Sequence, residues 1–175
     1  NAERFEAFTS LNYPPLAESG VHLDFNKELI YTPTQTNKPL IVRKSLSENV
    51  VVLKLFPGVT EKVVQSILEI SGLKGVVLET YGAGNAPTYP WFLALLAQAI
   101  KSGIHIVNVT QCVGGSVILG HYETSVGLKE IGVIDGKDMT TESAIAKLMY
   151  LLGDEISKNN FKSIFETPLR GEVDS

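Results

Sequence analysis

Cysteine is almost missing from this 175-residue chain. With Cys112 alone, no internal disulfide can form and no cysteine-rich metal site can be built. That scarcity fits a reducing compartment. A basic cluster is also missing, and the net charge is −4, which argues against nucleic acid or an anionic membrane as partner. No apolar run approaches the length of a membrane span. The opening residues, Asn1-Ala2-Glu3-Arg4-Phe5, have neither the basic start nor the apolar centre of a secretory signal. They also lack an initiating Met, so the expectation is a fragment of something longer. Internal repeats and low-complexity segments are absent as well.

What remains is an ordinary globular composition, 44% hydrophobic and 19% charged. The length suits one domain with an appended arm. Residues 1–45 read as that arm or linker. Its Pro14-Pro15 pair forbids a helix interior. Gly20 to Asp24 alternates weakly, as a short strand would, and the polar stretch 32–39 carries two prolines.

Residues 46–175 change character. Val50-Val51-Val52-Leu53-Lys54-Leu55 is nearly all apolar and β-branched, as a strand covered on both faces should be. Thr60 suits an N-cap and Glu61 a first helical turn, and Val63, Val64, Ile67, Leu68 and Ile70 make an apolar face up to Gly72. Gly75 to Thr80 reads as a second strand around Val76-Val77-Leu78. A helix from about Thr88 follows, with Trp91, Leu95, Leu96 and Ala99 inward and Gly103 as its cap. Ile104–Val109 is a third strand and Gly132-Val133-Ile134 a fourth. Helices are expected at 122–131, from Thr140 or Thr141 to Gly153, and around Phe161, Ile164 and Phe165. Residues 166–175 read as a tail. Strands alternating with helices predict an α/β, Rossmann-like or flavodoxin-like three-layer domain with a roughly four-stranded, mainly parallel sheet.

Ligands of such sheets sit outside the carboxyl ends of the strands. Two polar, glycine-bearing loops fall there: Tyr81-Gly82-Ala83-Gly84-Asn85-Ala86-Pro87 and Thr110-Gln111-Cys112-Val113-Gly114-Gly115. A dinucleotide fingerprint fails at the first, because Pro87 takes the third glycine position and no acidic residue follows at the required distance. Cys112 could be a nucleophile if His105, His121 or Glu123 served it, but a cysteine near a core edge is more often a small hydrophobe. His105 sits mid-strand and reads as a packing residue. His121-x-Glu123 is too short a metal pattern without a third ligand. Glu79 and Glu123 could form a carboxylate pair at a separation the sequence leaves open. Gly114-Gly115-Ser116-Val117-Ile118 lacks the second glycine of a serine elbow. The plain alternative for the 81–87 loop is a polar turn or dimer contact with no ligand.

Taken together, several stretches resemble type I (cytoplasmic) L-asparaginases. They are Leu78-x-x-Tyr81-Gly82-x-Gly84-Asn85-x-Pro87, Asn108-x-Thr110-Gln111-Cys112, Asp138-Met139-Thr140-x-Glu142 with Lys147-Leu148, and Leu169-Arg170-Gly171-Glu172. Phe5-x-Ala7-Phe8-x-Ser10-x-Asn12-x-Pro14-Pro15-Leu16 resembles the segment that joins that family's two domains.

The resemblance implies the C-terminal domain of an enzyme hydrolysing L-asparagine to L-aspartate and ammonia, in the cytoplasm, without cofactor or metal. The nucleophilic threonine and its partners belong to the family's N-terminal domain, and their motifs do not occur here. No catalytic residue is therefore expected in this chain, and no activity alone. The implied roles are amino-acid binding and subunit contact, in a homodimer or homotetramer with its own N-terminal catalytic domain. Asn85 matches an amino-acid-binding asparagine. Leu78, Glu79, Asn85, Thr110 and Cys112 fall where some bacterial members bind asparagine as an effector. Glu79 stands where those members carry an arginine, and a carboxylate there repels the effector's own. Tyr122 and Glu123 are the implied polar contacts of the 120–125 loop with a neighbouring site. Two other readings share the fold or the surface. One is an asparaginase-like subunit of a tRNA-dependent amidotransferase. The other is a stand-alone effector-binding or dimerisation module.

Overall fold

A computed structural model describes residues 5, 9–30, 32, 39, 42–121, 123–153 and 160–174. The chain divides into two compact units, Asn1–Val42 and Arg43–Ser175. In the first, β1 (Ala17–Ser19) pairs antiparallel with β2 (Leu23–Phe25). The single strand expected at 20–24 is thus a hairpin. Gly20 and His22 form its turn, where the Gly20 amide donates to the His22 carbonyl at 2.9 Å. The polar loop expected at 32–39 lies mostly outside the described residues.

The second unit is a three-layer α/β domain. Its sheet has the order β3 (Val50–Lys54), β4 (Gly75–Thr80), β5 (His105–Thr110), β6 (Ile134–Asp135), all parallel. Strand order follows chain order without reversal. Right-handed crossovers in one direction put every connecting helix on one face. Accordingly α1 (Glu61–Leu68), α2 (Pro90–Lys101) and α3 (Glu123–Glu130) share one apolar core with Leu53, Val76, Leu78 and Ile106. The other face would lie bare if the chain ended at β6. It is covered by α4 (Thr141–Gly153) and α5 (Phe161–Phe165), which pack on Val77, Val107, Val109 and Ile134.

Local chemistry sets the element ends. α1 stops at Leu68, before the expected Gly72, because residues 69–73 wind into turns with Ile70 donating to Ile67 and Leu73 to Ile70. α2 starts at Pro90, whose missing N–H costs nothing in a first turn. Its buried line is Phe92, Leu96 and Ala99, with Trp91 and Leu95 only half-buried. The inward face is therefore turned from the expected one, and Phe92 belongs to it. Thr140 caps α4 by accepting the Ser143 amide at 3.2 Å. β6 is only two residues long, because Gly132 takes a positive φ of 94° and delays the strand.

The stretch 166–174 is not a loose tail. Val173 is buried, and Glu172 forms an ion pair with Lys147, which is only 5% exposed. Lys147 also donates to the Thr167 carbonyl at 2.7 Å and lies over the Phe165 ring. Burial pushes the Lys147 ammonium down, and the Glu172 carboxylate only partly offsets this. Burial would raise Glu172, but Lys147 and the backbone amides of Leu169 and Arg170 bring it down to about 2. The favourable side of the pair thus rests on the carboxylate, which backbone donors also serve.

A carboxyl held below its ordinary 4.5 adds stability that is complete above that value and disappears as pH falls toward about 2. Glu79 acts in the same direction, and Asp135, which burial raises, acts in the opposite one. Glu172→Gln is expected to cost about 3 kcal/mol at neutral pH by leaving a buried ammonium unpaired. It should also flatten the loss of melting temperature between about pH 5 and pH 3. Equal acid slopes for variant and wild type would contradict this assignment.

Candidate functional site

The carboxyl edge of the sheet carries the two polar loops, and three sets of side chains hold them. Asn108 is the first. It interrupts the apolar run Ile106-Val107-Asn108-Val109 and is completely buried. A buried amide in such a strand must be hydrogen-bonded. Its Oδ1 accepts from the Thr80 hydroxyl at 2.6 Å, and its Nδ2 donates to the Gly84 carbonyl at 3.3 Å. The network therefore reaches from β4 through β5 to the underside of the 81–87 loop.

The loop itself closes tightly. Tyr81 and Asn85 exchange both backbone hydrogen bonds, at 2.9 and 2.8 Å. Gly84 has φ +104°, and a Cβ there would lie 2.7 Å from Val117 Cγ1. Both conformation and space therefore demand glycine.

Gln111 is the second holding group. Its Nε2 donates to the carbonyls of Leu55 at 2.6 Å and Glu79 at 2.9 Å. One side-chain amide thus clips the ends of β3 and β4 to the residue after β5. The third set ties the loops to the following segment. Ile118 donates its amide to the Ala83 carbonyl at 3.1 Å, and the Thr124 hydroxyl donates to Asn85 Oδ1 at 2.5 Å.

Glu79 is buried at the end of β4, on the α4 side of the sheet. Thr141, first residue of α4, donates to its Oε1 at 2.6 Å, and Lys54 lies 2.9 Å from Oε2. Burial would raise its pKa, but the Thr141 hydrogen bond and the Lys54 contact outweigh that and hold it below the ordinary value. Glu79 is thus a fixed anion satisfied within its own chain. A threonine, a carboxylate and a lysine stand together here, yet a carboxylate of lowered pKa is a poor base for the Thr141 hydroxyl.

The structure places the remaining candidates as follows. Leu78 is fully buried in the core, and at that position its strand is paired with Leu53 on one side and Asn108 on the other. Thr110 is buried, and its hydroxyl accepts the Cys112 amide at 3.0 Å. Cys112 is exposed and not packed as a small hydrophobe. His105 cannot serve it. The histidine opens β5 and stacks on Phe161 at 3.7 Å, whereas Cys112 lies beyond the other end, about 20 Å away at the strand rise. Glu123 is exposed at the start of α3, apart from the Glu79–Lys54–Thr141 cluster. Tyr122 lies outside the described residues.

No group of three or more His, Cys, Asp or Glu placed to hold a metal occurs among the described residues. No described helix is long and apolar enough to cross a membrane. A cavity of about 400 Å³ opens at the amino end of β5 around His105, Phe161 and Lys162, away from both loops. Lys54, Thr141 and Thr124 do not stand out in the sequence, because nothing local distinguishes them. Asn108 and Gln111 appear only within a motif, although a lone amide inside an apolar strand is itself the signal.

This arrangement defines an α/β domain with a preformed polar site at the carboxyl edge of a parallel sheet. Residues 49–165 match the glutaminase/asparaginase C-terminal domain, and the chain belongs to that family. It is 38% identical over 174 residues to L-asparaginase 1 of Escherichia coli K12, covering 99% of this chain and 50% of that protein. It is 40% identical over 174 residues to a 60 kDa lysophospholipase of Mus musculus, covering 99% of this chain and 30% of that one. A 32% identity over 173 residues links it to a glutamyl-tRNA(Gln) amidotransferase subunit of Methanobrevibacter smithii, at 98% and 39% coverage. The crystal structure of L-asparaginase I from Vibrio cholerae superposes with TM-score 0.88 at 36% identity, over 97% of this chain and 50% of that one. The chain thus spans half or less of the length of these relatives.

The buried network makes a quantitative prediction. Asn108→Ala should cost about 3 kcal/mol by stranding the Gly84 carbonyl and leaving the Thr80 hydroxyl only its longer bond to the Val109 carbonyl at 3.2 Å. Combined with Thr80→Val in a double-mutant cycle of urea unfolding, the losses should fall short of additive. Additive losses would show that the two side chains do not act as one unit.

Proposed function

We propose that this chain is the C-terminal domain of an L-asparaginase, an L-asparagine amidohydrolase giving L-aspartate and ammonia. In this reading it supplies amino-acid binding and subunit contact and does no chemistry alone. One observation carries the reading: large apolar side chains within and next to the segments at the carboxyl edge of the sheet are exposed. Phe56 and Tyr89 are 51% and 57% exposed, and Val113 and Ile118 are 83% and 51% exposed. Large apolar side chains left exposed together mark a surface that a second protein surface covers. The catalytic N-terminal half, in a homodimer or homotetramer, is that second surface, and the reaction is cytoplasmic.

Asn85 is the amino-acid contact, with Thr110 and Cys112 at the same edge. Leu78 contributes as the buried support beneath this edge, and Tyr122 and Glu123 reach a neighbouring subunit. Glu79 does not serve an amino-acid effector. Its charge is already matched by Lys54 and Thr141, and it repels an incoming carboxylate. A second reading, as part of an amidotransferase, is favoured by relatives that are amidotransferase subunits and has no basic cluster in the sequence behind it.

Asparagine turnover tests the proposal. The chain alone should release no ammonia above the uncatalysed rate. In the intact enzyme, rate should depend hyperbolically on asparagine, and Glu79→Gln should leave that shape unchanged. Turnover by the isolated chain, or a sigmoidal curve that Glu79→Gln alters, would refute it.

A further inference from the structure

We infer that the cavity at the amino end of β5 is a binding site for a small organic anion, whose carboxylate or phosphate group meets the Ile106 amide and the ammonium groups of Lys101 and Lys162. The inference does not depend on the amino-acid-binding reading. The cavity holds about 400 Å³, within the range of small-molecule sites.

It exists because β6 begins late. β6 pairs with β5 only at Val107 and Asn108. Continued toward the amino ends, that register would set Val133 beside Ile106 and Gly132 beside His105. Both leave the ladder instead. Gly132 takes φ 94°, and the Val133 amide donates to the Leu128 carbonyl at 3.0 Å. The His105 amide donates to the Lys74 carbonyl, toward β4. Peptide groups alternate in direction along a strand, so the Ile106 amide faces the other way, where β6 has not begun. Ile106 is 1% exposed and lines the cavity. A buried backbone donor calls for an acceptor, and among the described residues no carbonyl of the strand ladder stands opposite this one.

Charge selects the ligand. Lys101 and Lys162 line the cavity, and no carboxylate does. Lys162 is held in place by donating to the Val133 carbonyl at 3.1 Å. Glu166 lies 3.7 Å from it, and its Oε1 also accepts the Asp135 amide at 3.0 Å. The carboxyl end of α2 lines the cavity too, and a helix end of that polarity opposes an anion by about half a charge. Two of its carbonyls are already engaged, Ala99 by the Ile104 amide at 3.1 Å and Ile100 by the Gly103 amide at 3.0 Å. Two ammonium groups against one shared carboxylate and a capped helix end leave the balance positive. The stacked rings of His105 and Phe161, with Ile104 and Ile134, supply apolar walls for a compact body.

Nuclear magnetic resonance titration of the full chain tests this, with benzoate and phenyl phosphate as probes at constant pH and ionic strength. At least one should bind saturably and move the Ile106 amide proton downfield. The two share a ring, so the tighter one identifies the anionic group. Benzyl alcohol, which keeps the ring and lacks the charge, should not bind there. Lys101→Gln and Lys162→Gln should each weaken binding about three- to tenfold. Lys101 is exposed, so its variant tests charge without disturbing the core. Melting curves separate a loss of binding from misfolding in Lys162→Gln. No saturable shift at Ile106 with either anion, binding of benzyl alcohol as tight as theirs, or unchanged affinity in either lysine variant would overturn the inference.

Discussion

The buried hydrogen-bond chain Thr80–Asn108–Gly84 is the constraint on which the carboxyl edge of this domain's sheet depends. A parallel sheet covered on both faces has no natural place for a side-chain amide. Asn108 is tolerated because each end of its amide has a partner, and those partners belong to the neighbouring strand and to the loop after it. The same bonds that satisfy the core therefore fix the height of the 81–85 turn. Gly84 lets that turn approach Val117 closely, and Gln111 secures the neighbouring strand ends. The edge is preformed by the chain's own polar groups.

Glu79 shows the same logic applied to charge. A carboxylate facing the α4 side of the sheet must find a hydroxyl or a cation, and α4 and β3 supply one each. α4 is present on that face because sequential strand order leaves it otherwise bare. Farther along, the same helix carries Lys147, which clamps the terminal segment through Glu172. One helix thus closes the second core, hydrogen-bonds the strand-end anion and anchors the 166–174 segment.

The sheet and its helices are legible in the sequence because parallel strands leave apolar runs, as in Gly75–Leu78, which is buried throughout, and in Val50–Leu55, although there the strand lies at the sheet edge and Val52 and Lys54 are exposed rather than covered. The helix faces are less so. In α2 the aromatic pair Trp91-Phe92 allows two inward directions, and packing against β4 and β5 chooses Phe92. The hairpin at 17–25 reads only as one short, misplaced strand, because its own strands are three residues each and exposed, so the alternation that would mark them is weak. At the site, Asn85, Glu79 and Thr110 stand out by their place at strand ends. Their partners Lys54, Thr141 and Thr124 cannot be found the same way, since each comes from a different element and meets its target only through tertiary packing. The ordered segment 166–174 is hidden for the same reason: its anchor, Lys147, meets Glu172 only through tertiary packing.

The central claim is that the Tyr81–Asn85 turn is held by the protein's own network and waits for no ligand to form. Amide hydrogen exchange of the ligand-free chain addresses it directly. The Tyr81 and Asn85 amides, paired with each other across the turn, should exchange as slowly as the central amides of β4 and β5, through opening of the domain as a whole. Exchange of those two amides at the rate of an unprotected loop would show that the turn is not preformed and would contradict the account.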